Sequence, residues 1–258
     1  MIIKQDRSVI PACDCSFEKY KRLVKATGDL EGIGAYKLGI GFLAKGLEEA
    51  VKVARGSTDK PLIYDHQKAG TDIHESTPQL FMDQMVQAGI NAVILFPQAG
   101  PVTQYEWTKA AQERNLGVIV GGEMTHPRYL EGDTSNSKTT DYTEIFERLN
   151  FDRALTGYLR KDAPAFMYLL AERMGVRDFV VPGNKAERVQ HYRELLEIDV
   201  KTGLTFYSPG LITQGGSMSD AAKAAGKSWH AIVGRALFEA ENMREAAIQQ
   251  TKELVTTQ

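Results

Sequence analysis

Residues 92–121 read AVILFPQAGPVTQYEWTKAAQERNLGVIVG, and this stretch decides the fold class. Two short runs of β-branched and apolar residues, at 92–96 and 117–121, enclose a segment with helical spacing at 105–114. Apolar runs without polar alternation are typical of strands buried on both faces, and a helix between two such runs connects parallel strands. The stretch therefore predicts a β-α-β unit of a parallel sheet.

The same unit repeats along the whole chain. Runs that predict strands lie at 9–14, 35–40, 62–66, 92–96, 117–121, 179–182, 204–208 and 231–234. Segments with helical spacing lie between them, at 42–55, 79–88, 105–114, 163–174, 186–196 and 219–225. Eight alternating units in 258 residues are the number and size of a (β/α)₈ TIM barrel, here predicted as a single domain over residues 1–258.

A doubly wound open sheet is the alternative fold, but no GxGxxG motif follows the first strand. The long interval between the fifth and sixth runs departs from the regular spacing. It contains a polar tract at 131–143, predicted to be a mobile loop at the barrel mouth, and then residues 150–160, predicted to form an extra helix.

Charge and hydropathy exclude several classes of protein. Lys plus Arg is 31 and Asp plus Glu is 33, so the net charge of −2 does not favour binding to nucleic acid. Apolar runs stay well short of the roughly 20 residues that a membrane span requires, so we expect no membrane association. The neighbouring residues Cys13 and Cys15 make a poor disulfide pair, and we expect reduced thiols in a cytoplasmic protein.

Ionisable residues lie at the ends of the first three predicted strands. Asp14 ends the first, Lys37 lies on the second, and the third continues into Asp65, Lys68 and Asp72. In a TIM barrel the active site forms where strands end, so these groups indicate a charged catalytic cluster. Taken singly, each is equally well explained as half of a salt bridge at the barrel rim.

Glycine-rich turns follow the last two strands. Residues 208–210 (SPG) and 214–216 (QGG) follow the seventh run, and Gly234 with Arg235 ends the eighth. TIM barrels often bind phosphate between these two loops, through backbone N–H groups at a helix start. An arginine there adds a bidentate contact. We therefore predict a phosphate-binding site at this side of the barrel.

Four motifs, taken together, resemble the orotidine 5′-phosphate decarboxylase family. They are LIYDHQKAGTDI at 62–73, EMTHP at 123–127, SPGLITQGG at 208–216 and IVGRALF at 232–238, in the family's order. The resemblance implies a divergent member that decarboxylates orotidine 5′-phosphate (OMP) to UMP in de novo pyrimidine biosynthesis. It also implies that no cofactor or metal is used, and that the enzyme is a homodimer with shared active sites.

The resemblance assigns catalytic roles to Lys37, Asp65, Lys68 and Asp72. Asp65 would face the substrate's carboxylate, and Lys68 would donate the proton to C6. Lys37 would hold a ribose hydroxyl, and Asp72 would reach the ribose in the site of the neighbouring subunit. The resemblance also implies a set of substrate-binding residues around this array, namely Asp14, Ser76, Thr125, Pro209, Gln214, Gly215, Gly234 and Arg235.

The charged cluster departs from the family's pattern in its spacing. The family has acid-x-Lys-x-x-acid, whereas both gaps are one residue longer here, from Asp65 to Lys68 and from Lys68 to Asp72. Residues i and i+3 of a strand point to opposite faces, so we expect a bulge at residues 66–67. Thr125 also replaces the family's serine.

Two other functions remain open at this point. One is a related Mg²⁺-dependent lyase, of the sugar-phosphate decarboxylase or hexulose-phosphate synthase type. The other is a catalytically silent barrel that binds nucleotides. Loss of activity with a chelator would favour the first, and binding of UMP without turnover of OMP would favour the second.

Overall fold

The computed structural model describes residues 2–42, 46–65, 71, 75–137, 140–151, 155–200, 202–212 and 215–255. Within them, eight strands follow one another along the chain. They are β1 (Arg7–Pro11), β2 (Tyr36–Gly39), β3 (Leu62–Asp65), β4 (Ala92–Leu95), β5 (Gly117–Gly121), β6 (Asp178–Val180), β7 (Thr205–Ser208) and β8 (Trp229–Val233). They form one sheet in the order β1-β8-β7-β6-β5-β4-β3-β2, and the neighbouring strands run parallel.

The two ends of this sheet meet each other. Short parallel bridges join Val9 to Ile33 and Ala12 to Lys37, and the Cys13 amide donates to the Lys37 carbonyl at 2.9 Å. These contacts bring β1 beside β2 and nearly close the sheet into a cylinder. The predicted (β/α)₈ barrel is thereby confirmed, and the open doubly wound sheet is excluded.

Helices connect the strands on the outside of the barrel. In the described residues they are α1 (Phe17–Thr27), α2 (Leu47–Arg55), α3 (Thr77–Gln87), α4 (Pro101–Gln112), α5 (Tyr142–Arg148), α6 (Ala163–Arg173), α7 (Ala186–Glu197), α8 (Met218–Ala225), α9 (Arg235–Phe238) and α10 (Met243–Val255). Local sequence sets several of their starts. The Ser16 and Ser217 side chains accept hydrogen bonds from first-turn amides, and proline begins α4.

Apolar side chains fill the space inside the cylinder as well as the space between strands and helices. Ile10, Ile63, Ile94 and Ile119 belong to the inner cluster, and each is at most 2% exposed. The larger outer cluster packs the other face of the strands against the helices. Because the barrel is filled below its C-terminal mouth, a ligand site is confined to that mouth.

The described residues of the segment at 150–160, which are 150–151 and 155–160, do not form the helix that the sequence predicts. The helix of this region is α5, which starts inside the polar tract because the Asp141 side chain accepts from the amides of Thr143 and Glu144. Asn150 then adopts a positive φ of 59°, which ends the helical path. Farther along, Leu159 pairs with Leu130 as a parallel bridge, so this backbone is extended rather than helical.

Three smaller predictions have mixed outcomes. The helix predicted at 42–55 starts only at Leu47, after the 3₁₀ turn Ile40–Phe42. Cys13 and Cys15 are free thiols. Among the described helices, none combines the length and apolar character that crossing a membrane requires. The single-domain prediction and the mobility of the polar tract stay predictions.

Candidate active site

A cavity of about 530 Å³ lies at the C-terminal mouth of the barrel. The loops that follow β1, β5, β7 and β8 surround it, together with the ends of β2 and β3. Seven of the residues predicted from the sequence line it: Asp14, Lys37, Asp65, Thr125, Pro209, Gly234 and Arg235. The fold therefore brings the acidic and basic residues of the N-terminal strands into one cavity with the glycine-rich turns of the C-terminal strands.

Lys37 is the centre of the charged cluster. Its Nζ donates to Asp65 Oδ2 at 2.7 Å and to Asp14 Oδ2 at 3.1 Å. The side chains of Lys37 and Asp65 are 8% and 10% exposed, whereas that of Asp14 is 53% exposed. The ion pair of Lys37 and Asp65 is thus largely buried. The more exposed Asp14 is the second carboxylate that binds Lys37.

Burial alone would lower the pKa of Lys37, but the charges and hydrogen bonds of Asp65 and Asp14 raise that pKa above its ordinary value. Lys37 is therefore a permanent cation in the resting protein. The three side chains together carry one excess negative charge. Asp65 Oδ1 is moreover buried and has no hydrogen-bond partner in the described part of the chain.

Glycine at position 39 makes room for this cluster. Gly39 ends β2 and lies opposite Asp65 in the parallel register. A Cβ atom at Gly39 would collide with Asp14 Oδ1. A larger residue at this position would displace Asp14 from Lys37, so the glycine is required by close approach rather than by backbone conformation.

The cavity wall carries a second cation, which follows β8. Arg235 is the first residue of α9 and is exposed at the cavity wall. Its carbonyl accepts from the Glu239 amide at 3.0 Å, but its guanidinium makes no ion pair or hydrogen bond with another described residue. A solvent-facing guanidinium that none of the described residues binds is available to an anionic ligand.

The turn after β7 lines the same cavity. Gly210 has a φ of 89°, and its carbonyl accepts from the Gly216 amide at 3.1 Å. The Pro209 carbonyl accepts from the Gly183 amide at 2.9 Å, which holds the turn against the loop that follows β6. The turn is thus fixed at both ends.

Thr125 enters the cavity from the loop after β5. Its carbonyl accepts from Asn184 Nδ2 at 2.9 Å, and its methyl side packs against Gly210. Its hydroxyl has no hydrogen-bond partner among the described residues. This hydroxyl is therefore free to contact a ligand.

Five of the predicted site residues are not seen in the cavity wall. Ser76 is exposed at the start of α3, and Gly215 lies in the turn after β7 without lining the cavity. Lys68, Asp72 and Gln214 lie outside the described residues, as does the bulge expected at 66–67.

Curated proteins similar to this chain are orotidine 5′-phosphate decarboxylases. The enzyme of Methanosarcina mazei is 29% identical over 253 residues, which covers 98% of this chain and 97% of that protein. The enzyme of Methanosarcina barkeri is 32% identical over 187 residues, 72% of this chain and 68% of that protein. The chain belongs to the orotidine 5′-phosphate decarboxylase family. The prediction of a carboxy-lyase is thereby confirmed at the level of the family.

A solved decarboxylase structure shares the fold of this family member. Orotidine 5′-monophosphate decarboxylase from Methanocaldococcus jannaschii, complexed with the inhibitor BMP, superimposes with a TM-score of 0.74. The alignment covers 96% of this chain and 98% of that chain at 20% identity. No family model matches the sequence.

Sequence reasoning about this decarboxylase family member missed one group of charged residues. Glu123 ends the β5 region, is 3% exposed, and forms ion pairs with Lys185 and Arg188. A signal was present, because two cations at the start of α7 oppose the positive end of the helix dipole and need a counter-charge. An acid following a strand was the criterion that selected Asp14 and Asp65, and it applied equally to Glu123.

An apolar wall also belongs to the cavity of this family member and was not predicted as part of the site. Ile94, Phe96, Val180 and Ile232 line the cavity. They lie on the same mouth as the charged cluster, so a ligand would meet a polar edge and an apolar edge.

Within the described residues, no group of three His, Cys, Asp or Glu side chains is arranged to hold a metal ion.

Proposed function

We propose that the protein decarboxylates orotidine 5′-phosphate to UMP, using charged side chains of the chain and no cofactor. The observation that carries this proposal is the buried pair of Lys37 and Asp65 at the barrel mouth of a chain that belongs to the decarboxylase family. The curated relatives act, by name, on this substrate.

Asp65 is the carboxylate that faces the carboxylate of the substrate. Asp65 Oδ1 supports this role, because a buried oxygen that has no donor among the described residues is repelled by a second carboxylate, and that repulsion is relieved when CO₂ leaves. The C6–carboxylate bond breaks and its electron pair remains on C6. Lys68 then donates a proton to C6, and its neutral amine regains a proton from solvent.

The charge balance of the cluster supports a second cation at this place. Lys37 offsets only one of the two charges on Asp14 and Asp65. A partly buried cluster with excess negative charge is unfavourable unless a further cation lies beside it. Lys68 follows Asp65 by three residues and is the cation that we propose for this position.

The rest of the cavity binds the nucleotide in this proposal. Arg235, with the Gly234 amide and Gln214, takes the 5′-phosphate, and Pro209 and Gly215 shape that loop. Thr125 contacts the pyrimidine, and Lys37 and Asp14 hold ribose hydroxyls. The free guanidinium of Arg235 supports the phosphate role. Binding at this remote phosphate can be used to order the charged cluster.

We also propose a cytoplasmic homodimer in which Asp72 and Ser76 complete the site of the neighbouring subunit. The exposed position of Ser76 outside its own cavity supports this assignment. UMP is the product, and de novo pyrimidine biosynthesis is the process served.

The test of this function is the ultraviolet absorbance of OMP with the purified protein, with and without a chelator. We expect turnover to UMP in both conditions. Turnover that stops with the chelator and returns with Mg²⁺ would favour the metal-dependent lyase. Binding of UMP without any turnover of OMP would indicate a silent nucleotide-binding barrel.

A further inference from the structure

The buried carboxylate of Glu123 joins two loops of the barrel mouth. Its Oε1 accepts from Lys185 Nζ at 2.9 Å, and its Oε2 accepts from Arg188 Nε at 2.8 Å and from Tyr192 O–H at 2.5 Å. The donors lie 62 to 69 residues away along the chain, with Lys185 and Arg188 at the start of α7 and Tyr192 near its middle. We call Glu123, Lys185, Arg188 and Tyr192 the Glu123 clamp.

Both oxygens of the Glu123 carboxylate accept hydrogen bonds within the clamp. Burial alone would raise the pKa of Glu123, but hydrogen bonds from Tyr192, Arg188 and Lys185 lower that pKa below its ordinary value. The carboxylate is therefore ionised at neutral pH, and it offsets two cations that the dipole of α7 would otherwise disfavour.

Contacts between the same two loops continue along the chain to Thr125. Lys185 Nζ also donates to the Met124 carbonyl at 3.3 Å, and Asn184 Nδ2 donates to the Thr125 carbonyl at 2.9 Å. Residues 123, 124 and 125 are thus each held by a side chain from the loop that precedes α7 or from its first turn. On the far side, Gly210 lies against the Thr125 side chain.

We propose that Glu123 is a positioning residue, which fixes the Thr125 hydroxyl at the pyrimidine-binding side of the cavity through Lys185 and Arg188. This inference rests on the proposed function, because it assigns Thr125 to the ring of the nucleotide. The side chains of Lys185 and Asn184 bind the carbonyls of Met124 and Thr125. Thr125 itself lines the cavity, and its hydroxyl has no hydrogen-bond partner among the described residues.

A thermodynamic cycle on ligand binding tests the inference. The variants are Arg188→Met, Thr125→Ala and the double variant, and the ligands are UMP and ribose 5-phosphate, which lacks the ring. Losing one neutral hydrogen bond weakens binding by about three- to tenfold, and we expect each single variant to weaken UMP by that amount. Ribose 5-phosphate should bind both variants as it binds the wild type.

In the double variant, we expect UMP affinity equal to that of Thr125→Ala alone, because Arg188 acts through Thr125. The matched control is Lys227→Met, which removes an 84% exposed lysine that precedes β8, at the other end of the barrel. Its affinity for both ligands should be unchanged. Arg188→Lys keeps the charge and should restore part of the UMP affinity.

Two results would overturn the inference. The first is an equal loss of UMP and ribose 5-phosphate affinity, which indicates a general structural role. The second is an additive loss in the double variant. If Arg188→Met does not fold, Lys185→Met takes its place in the same cycle. If the wild type turns over OMP but the losses of UMP affinity in the two single variants add up in the double variant, only this inference is wrong. If the wild type neither binds UMP nor turns over OMP, the proposed function is wrong as well.

Discussion

Lys37 Nζ contacts only one oxygen of Asp65, Oδ2, at 2.7 Å. The other oxygen is buried and has no donor among the described residues. Lys37 thus fixes the position of the Asp65 carboxylate without neutralising all of it. In the mechanism that we propose, this second oxygen faces the carboxylate of the substrate.

Asp65→Asn tests this arrangement by removing the charge while keeping the shape of the side chain. Losing one preorganised electrostatic contact typically lowers the rate by about 10²–10³-fold, and we expect kcat/KM for OMP to fall by that amount. UMP has no carboxylate at C6, so its affinity should change little. The control is Asp199→Asn, which alters a 40% exposed surface aspartate. OMP turnover near the wild-type level in Asp65→Asn would contradict the role of this charge.

Arg235→Ala tests the phosphate site. A hydrogen bond to a charged group contributes about 1.5–3 kcal/mol, so UMP binding should weaken by that amount while uridine binding is unaffected. The measurement is titration calorimetry with both ligands. An equal loss for UMP and uridine would show that Arg235 acts on the fold of the wall and not on the phosphate.

Mixed dimers test the shared active site. Lys68→Ala and Asp72→Ala subunits should each be inactive alone, but a hybrid has one site with both Lys68 and Asp72. Half of the dimers in an equal mixture are hybrids, so about a quarter of the wild-type activity should return. Mass spectrometry of differently labelled subunits verifies exchange. Complete exchange without recovery would contradict a site built from two chains.

His230 should make the protein less stable in weak acid. Its ring is 1% exposed, its Nδ1 lies 2.9 Å from Ser8 Oγ, and burial lowers its pKa from 6.5 to about 4. A histidine with a depressed folded pKa contributes stability that is fully present above the unfolded pKa of 6.5. That contribution is lost as the pH falls from 6.5 towards 4, because the unfolded chain binds the proton first.

The shift corresponds to about 3 kcal/mol. Denaturant unfolding of wild type and His230→Gln at pH 7 and pH 4 measures it, and the variant should lose less stability by about this amount. The exposed His191 provides the control, since His191→Gln should follow the wild type. Parallel stability curves for wild type and His230→Gln would contradict the buried neutral imidazole.

The barrel was predictable because its signal is local. Each strand is a short apolar run, as in residues 92–96, and each is followed by a separate helical pattern. The extra helix was misplaced because its position depends on contacts between distant segments. The pairing of Leu130 with Leu159 extends the backbone at Leu159, and neither residue carries a pattern that indicates this pairing.

The candidate site shows the same difference between residues with a local sequence signal and residues placed by long-range contacts. Asp14, Lys37 and Asp65 were predictable because an ionisable residue at a barrel strand end is unusual by itself. The partners of Glu123 were missed because they lie more than 60 residues from it along the chain, and the sequence does not show which acid the cations at the start of α7 contact. The apolar wall was missed since its side chains look like core residues.

The most direct measurement of the central claim compares OMP decarboxylation by the wild type and by Lys68→Ala, with chelator present and with UMP affinity measured in parallel. We predict that the wild type converts OMP to UMP, and that Lys68→Ala stays folded, retains measurable UMP binding and shows almost no turnover. Turnover by Lys68→Ala near the wild-type rate would contradict proton donation by Lys68, and with it the charged-cluster mechanism.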